Sequence, residues 1–387
     1  MVNAASLPSW RELLLPIVKH KRLEQNQQDN IWSHNSQKSF YFSKSSFALK
    51  AIVNIWKQHC GKDIVKICVP DFFCDEAVSQ IRQSDVIISF YPVNDALKSI
   101  PDFWNGICQK NKPDIVLLVH YFGIENEDNN IISYCKQNGV LLVEDAAHVL
   151  RQSGGIGKIG GMTFYSPHKT LPVMQGSVLV VNEKNYIFKN WDVYLLERKL
   201  GIIVNEYEEQ GINVRPNKWI VKKALQKVMP QSIACVSREQ VATKCFDKEY
   251  PCLSEYSYVC MKNFSVSRLE RIEFKRRENF RILSGILKNC YGINMSLQLK
   301  RSDVPFCVQI YVEDSSLRNL IYNKMNITGR FCYKWPLLPD DIDGDSHAYH
   351  ILEKELIICV HEDMPIKKIV KNMKKDFNNE KVRKIQN

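Results

Sequence analysis

Long hydrophobic runs are missing from this chain. No stretch of its 387 residues approaches the roughly 18 apolar residues that a membrane-spanning helix needs, and the longest runs, such as Ile115–Val119 and Val140–Val143, are strand-sized. Cysteine pairing motifs are missing as well. The 13 cysteines are odd in number, irregularly spaced and never arranged Cys-x-x-Cys. That argues against a disulfide scaffold or a cysteine zinc site and for reduced thiols. No compact Arg/Lys tract interleaved with aromatics occurs, so direct nucleic-acid recognition is not expected. Internal repeats and low-complexity segments are absent. The apolar patch Leu13–Val18 precedes Lys19 and Lys21 instead of following them, and no small-residue cleavage site comes after it. A secretory signal has the opposite order, so the expected location is the cytoplasm.

What is present is ordinary for a globular protein. Hydrophobic residues make up 45% and charged residues 25%, which excludes a mainly disordered chain or a fibre. The length allows two or three domains. Lys+Arg total 53 against 42 for Asp+Glu, a net charge of +11, with a mild excess at the end (Lys367, Lys368, Lys371, Lys374, Lys375, Lys381, Arg383, Lys384). Such a balance suits an anionic small substrate, a membrane surface, nucleic acid or merely a solvated surface.

Strand-like and helix-like segments alternate along the first two-thirds. Residues Ser45–His59 carry Phe47, Ala48, Ala51, Ile52, Ile55 and Trp56 at helical spacing, with Ser45 and Ser46 as candidate N-caps. Ile64–Val69 reads as a strand, Asp75–Gln83 as a helix and Val86–Tyr91 as a strand. Asp114–His120 reads as a buried strand, Asn129–Asn138 as a helix, and Val140–Glu144 and Ser177–Val181 as buried strands. This alternation predicts a parallel sheet covered on both faces, with ligands bound beyond the carboxyl ends of its strands. Residues 185–265 have little pattern and are read as helices and loops. A charged amphipathic helix is expected over Ser267–Lys288. After it come a strand (Phe306–Val312), a helix (Ser315–Lys324), a turn (Trp335–Pro339), a helix (His347–Leu352), a strand (Leu356–Val360) and a helix (Ile366–Asp376). The expected organisation is a large domain, residues 1–268, and a small α+β domain, residues 269–387.

The most informative segment runs from 139 to 181. Asp145 follows a buried strand, His148 comes three residues later, and Lys169 sits in Ser-Pro-His-Lys before another buried strand. A helix-capping aspartate and a surface lysine would look the same. An acid and a lysine facing one cofactor is also what pyridoxal phosphate requires. The lysine amine condenses with its aldehyde, and a carboxylate keeps the pyridine nitrogen protonated so that the ring accepts electrons. Two other patterns are set aside. Gly155–Gly160 fits GxGxxG but neither follows a strand directly nor precedes an acid by about 20 residues, and a glycine-rich loop leading to the lysine explains it better. His347 and His350 have HxxH spacing without a third ligand, so no metal is expected.

The chain resembles the DegT/DnrJ/EryC1/StrS family of fold-type I pyridoxal-phosphate aminotransferases, most of which act on nucleotide-linked keto sugars. Val143–His148 (VEDAAH) resembles the family's Asp motif. Phe164–Lys169 with Gln175-Gly176-Ser177 resembles its lysine loop. Lys44–Leu49 resembles its phosphate turn, Val69–Cys74 the strand end that supplies an aromatic over the ring, and Val119–Gly123 (VHYFG) a further strand end. Tyr333–Pro339 and Glu355–Met364 resemble motifs of the small domain. The matches keep the family's order over about residues 40–375.

That resemblance implies an α/β fold with a mostly parallel sheet and pyridoxal 5'-phosphate as cofactor. Lys169 would be the cofactor lysine and proton shuttle, and Asp145 the partner of the ring nitrogen. His148 would contact the ring hydroxyl or support Asp145, and Ser45 and Ser46 would bind phosphate. Phe73, or its neighbour Phe72, would lie on the ring, with Ser166 and His168 as supporting cofactor contacts. It implies a nucleotide-sugar substrate, an amino-acid donor, glutamate, and a homodimer with its site at the interface. Some positions depart from the family pattern. Ser166 lies three residues before Lys169, whereas the family's serine lies five before, where this chain has Phe164. Ser45 replaces a glycine, Cys74 falls where an aromatic is expected, and Gln175 replaces a glutamate. Dehydratase members carry histidine in place of the lysine, so Lys169 favours transamination. The His168-Lys169 pair also resembles cysteine-desulfurase-like enzymes, although Thr170-Leu171-Pro172 lacks their Gly-Pro-x-Gly turn. A catalytically degenerate binding protein of the same fold is the third reading.

Overall fold

The computed structural model describes residues 5–18, 31–33, 37–82, 84–107, 111–188, 193–209, 216–228, 251–326 and 332–377. The first half runs α1 (Trp10–Val18), β1 (Lys38–Phe42), α2 (Ser45–Cys60), β2 (Val65–Pro70), α3 (Asp75–Val78), β3 (Val86–Tyr91), α4 (Pro101–Gly106), β4 (Ile115–Val119), α5 (Asn129–Asn138), β5 (Leu141–Ala146), β6 (Met162–Tyr165), α6 (Pro167–Thr170) and β7 (Ser177–Val181). Among the described residues these strands form one seven-stranded sheet in the order β1-β7-β6-β5-β4-β2-β3. Pairing is parallel from β3 through β6, while β7 runs antiparallel to both β6 and β1.

Both faces are covered, which is why the strands read as unbroken apolar runs. In β7, Leu179 and Val181 join the core under α2 and α5, and Val178 and Val180 join a second core on the opposite face. Strand β1 alternates likewise, Phe40 and Phe42 against Tyr41. The middle of the chain supplies α7 (Val193–Glu209), α8 (Asn217–Val228) and α9 (Glu255–Lys262). The expectation of helices and loops over 185–265 falls partly on residues 189–192, 210–215 and 229–250, which lie outside the described residues, as do Lys19, Lys21, Lys381, Arg383 and Lys384.

Helix α10 (Val266–Leu287) starts at Ser265, whose side chain accepts from the Arg268 N–H. Its first half packs Leu269 and Ile272 on the large sheet and its second half packs Phe280, Leu283 and Leu287 on a smaller one. The smaller sheet is built from β8 (Ile293–Asn294), β9 (Cys307–Val312), β10 (Cys332–Tyr333) and β11 (Glu355–Cys359), antiparallel in the order β10-β11-β9-β8. The remaining helices are α11 (Ser315–Asn326), α12 (His347–Lys354) and α13 (Ile366–Phe377). No helix among the described residues is long and apolar enough to cross a membrane.

The structure corrects several local expectations. The helix expected over Asp75–Gln83 closes at Val78, and Ile81 and Arg82 turn back onto the Val78 carbonyl. Arg82 then pairs with Asp75 and Asp341 and holds the shortened turn. The cap of α2 is Lys44, in extended backbone, and Ser45 and Ser46 are the first residues inside the helix. The strand expected over Val140–Glu144 is Leu141–Ala146, so Asp145 lies in the strand rather than after it. Strands β1 and β6 are too short to announce themselves, and β1 takes its partner β7 from far along the chain.

Candidate active site

The connections from β2 lead to β3 on one side, while β4, β5 and β6 lie on the other. The chain reverses its order between β2 and β4, and such a switch point opens a crevice at the carboxyl ends of the strands. Around it lie Asp71–Cys74 after β2, His120–Gly123 after β4, Asp145–His148 at the end of β5, and Ser166–Thr170 after β6.

Lys169 is half-buried in α6, a single turn closed by Lys169 N–H to the Ser166 carbonyl (2.9 Å) and Leu171 N–H to the Pro167 carbonyl (2.7 Å). Its ammonium acts on Asp145, His148, His168 and Cys74 together. These groups come from three strand ends, those of β2, β5 and β6, and converge on one amine. Burial pushes the Asp145 carboxyl up, against the Lys169 ammonium, the Ala147 N–H that donates to Oδ1 at 2.8 Å, and His120. Burial, reinforced by Lys169, holds His148 well below its ordinary value. The Cys74 thiol is raised by burial while Lys169 opposes.

The turn that opens α2 and the lysine turn are tied through Gly176. The Gly176 N–H donates to the Ser43 carbonyl at 2.9 Å, and its own carbonyl accepts from His168 Nδ1 at 2.9 Å. Nδ1 is therefore the protonated nitrogen, which leaves Nε2 as an acceptor. His168 Nε2 and Ser166 Oγ are both buried without a hydrogen-bond partner among the described residues. Burial drives His168 down to about 4. Ser45 and Ser46 sit in the first turn of α2, where backbone N–H groups point out of the helix. The unpatterned middle also reaches this edge. The Ser43 N–H donates to the Pro251 carbonyl, and Gln175 reaches the Cys252 carbonyl at 3.4 Å.

The aromatic neighbourhood is divided. Phe73 is buried in the main core beside Phe72, and Cys74 is the residue of this segment on which Lys169 acts. Trp335, from the turn expected at Trp335–Pro339, packs edge-on against Phe72, Phe122, Tyr121 and His148. The Tyr121 hydroxyl donates to the Phe72 carbonyl at 2.7 Å and joins the β2 and β4 ends.

Glu144 was not singled out by sequence, yet it organises the glycine-rich loop. Its fully buried carboxylate accepts from the N–H groups of Gly157 (2.8 Å), Ile159 (3.0 Å) and Gly160 (2.6 Å) and from His120 Nε2 (2.8 Å). The GxGxxG pattern is thus a loop wrapped around an internal anion. The available signal was an acid inside an apolar strand followed by a glycine-rich stretch. Asp71 and Arg276 were missed for a different reason. Arg276 on α10 donates to the Thr170 carbonyl at 2.9 Å from more than a hundred residues away, and no local pattern announces that. His347 pairs with Asp95, and no group of three metal-ligating side chains occurs among the described residues.

No protein-family model matches the sequence. Solved structures do share the fold. PseC of Helicobacter pylori, an aminotransferase of pseudoaminic acid biosynthesis, is 12% identical with a TM-score of 0.65, covering 97% of this chain and 98% of that one. The E. coli GDP-4-keto-6-deoxy-D-mannose-3-dehydratase with bound hydrated PLP is 14% identical, with a TM-score of 0.64 over 97% and 98%. The aminotransferase TlmJ of Streptoalloteichus hindustanus is 16% identical, with a TM-score of 0.60 over 87% and 84%. At such identities the likeness is one of fold, a fold-type I architecture that matches the α/β expectation over nearly the whole chain.

Proposed function

We propose that this chain is a pyridoxal-phosphate-dependent aminotransferase of the DegT/DnrJ/EryC1/StrS type. It would move an amino group, from glutamate, onto a nucleotide-linked keto sugar in amino-sugar or surface-polysaccharide synthesis. The observation that carries this reading is that the Lys169 ammonium acts on both Asp145 and His168, in a turn where two buried polar atoms, Ser166 Oγ and His168 Nε2, lack a partner among the described residues. An amine, a carboxylate and a hydroxyl able to donate to a phosphate suit what this cofactor demands. Buried polar atoms without partners are costly unless a ligand completes them.

In that reading, the Lys169 amine would hold the cofactor and would carry a proton to and from the substrate carbon. Asp145 would face the ring nitrogen, Ser45, Ser46 and Ser166 would hold the phosphate, and His168 would support the lysine turn through Gly176. His148 donates to the ring oxygen. Phe73 supports this pocket from the core, and Cys74 occupies the place of the ring-covering aromatic. The cofactor, when bound, supplies the conjugated ring that delocalises the electron pair left at the substrate carbon. The excess of positive charge suits a diphosphate-bearing substrate. We further infer a homodimer, and a division near residue 268, in the first turn of α10.

The test is visible absorbance of the protein mixed with pyridoxal phosphate, then borohydride reduction and peptide mass mapping. Label on Lys169, and a colourless Lys169→Ala variant, are expected. A colourless wild type, or label on another lysine, refutes the reading. Half-reactions with glutamate and with cysteine separate transamination from a desulfurase-like reaction, for which the His168-Lys169 pair is the motive. Amine transfer from glutamate is the expected result.

A further inference from the structure

His148 is held more firmly than a hydrogen bond requires. Two phenyl rings flank its imidazole nearly in parallel, Phe306 at 4.4 Å and 13° and Phe122 at 5.8 Å and 8°, and Trp335 meets it edge-on at 5.1 Å. The backbone beneath these rings is equally specific. Phe122 is a non-glycine residue in the left-handed region (φ 56, ψ 25), a conformation that costs about 1–3 kcal/mol unless its surroundings enforce it. Gly123 follows at φ 79, where a Cβ would lie 2.3 Å from the Val304 carbonyl oxygen and 3.2 Å from the Phe306 nitrogen. The Phe306 N–H donates to the Phe122 carbonyl at 2.7 Å. The segment leading into β9 is therefore laid directly on the turn that carries Phe122, and the two rings reach His148 from separate parts of the chain.

The Phe122 N–H donates to His148 Nδ1 at 3.4 Å. Nδ1 is thereby the acceptor, and the proton of the neutral ring resides on Nε2. We propose that Phe306, together with Phe122, is a positioning residue that locks His148 as the Nε2–H tautomer, so that a hydrogen-bond donor stands permanently beside Lys169. A histidine that acquired charge there would compete with the Lys169 ammonium for Asp145. A fixed donor steers an anionic oxygen without adding charge. Burial and the neighbouring ammonium both act against protonation of this ring. What the donor acts on, the ring oxygen of the cofactor, rests on the function proposed above, whereas the locking itself does not.

Nitrogen-15 NMR of histidine-labelled protein without cofactor reads the tautomer directly, and His148→Gln identifies the resonances. The expected result is an Nε2–H signature that stays constant across about pH 6 to 8. In Phe306→Ala the tautomers are expected to mix and the ring to begin titrating, while Phe306→Tyr keeps the wild-type pattern. If Phe306→Ala does not fold, Phe306→Leu fills the space without a flat ring and is expected to lie between the two. In protein loaded with pyridoxal phosphate, the pH midpoint of the visible absorption is expected to move by about half a unit or more in Phe306→Ala, with a larger effect on kcat than on KM. An Nδ1–H tautomer in the wild type, or an unchanged tautomer in both Phe306→Ala and Phe306→Leu, overturns the proposal. A wild type that fails to take up the cofactor refutes the proposed function and leaves the tautomer result standing.

Discussion

Replacing Glu144 by glutamine removes one negative charge and turns one acceptor oxygen into an NH2 group, with almost no change of shape. The consequence is set by the donors around it. Oε1 accepts from Ile159 N–H, Gly160 N–H and, at 3.4 Å, Thr163 Oγ1, and Oε2 accepts from Gly157 N–H and His120 Nε2. The Asn126 N–H donates to His120 Nδ1 at 3.1 Å, so His120 cannot escape by moving its proton to that nitrogen. The less damaging amide orientation keeps Oε1 and points NH2 at Gly157 and His120. Two buried donors then face a donor. At about 1–3 kcal/mol for each unsatisfied buried group, Glu144→Gln should lose about 2–6 kcal/mol of stability. That is a large part of the roughly 5–15 kcal/mol that holds a typical fold. Equilibrium urea unfolding of the cofactor-free protein measures the loss. Because the loop opens first, trypsin should also cut more readily after Lys158 in the variant. A loss below about 1 kcal/mol with unchanged cleavage would refute the account of the loop as wrapped around a buried anion.

Three further perturbations test other parts of the structure. Burial raises the Asp71 carboxyl from 3.8 to about 6, so its neutral form favours the fold below the lower value and its ionisation costs stability as pH rises through the upper one. Asp71→Asn should therefore raise the melting point at pH 8, by an amount equivalent to about 1–2 kcal/mol, and lose that advantage near pH 4; an equal gain at both refutes the cause. His168 is depressed from 6.5 to about 4, so its contribution is present above the first value and is lost as pH falls through the second. His168→Gln should remove about 3 kcal/mol of acid sensitivity over that interval, read from urea unfolding against pH, and an unaltered slope counts against it. Gly123→Ala should cost about 2–4 kcal/mol by clash with the Val304 carbonyl, whereas Gly139→Ala, at φ 61 in open space, should cost only about 1 kcal/mol; thermal melts of the pair compare them, and equal losses would dismiss the clash.

Most strands were readable because the large sheet is buried on both faces, so segments such as Ile115–Val119 are apolar without interruption. The helix over Ser45–Cys60 was readable from its spacing. Asp145 and Lys169 stood out as candidates for a chemical reason, since a lysine and an aspartate near strand ends suit one cofactor, and the fold brings the Lys169 ammonium to bear on Asp145. The failures share a cause. Strand β1 is five residues whose partner lies some 140 positions on, and the shortened α3 is stopped by an arginine paired with Asp341.

Thus the sequence by itself determined the alternation of elements and the class of fold and singled out Asp145 and Lys169 as candidates, because periodicity and residue chemistry are local properties. The tertiary structure alone decided what surrounds them. Glu144 gathers a loop, Gly176 joins the turn that opens α2 to the lysine turn, Arg276 reaches Thr170 from α10, and Phe122 and Phe306 stack on His148. Each of these contacts depends on the closure of long loops, and the geometry of such closures is carried by the packed core rather than by any stretch of neighbouring residues.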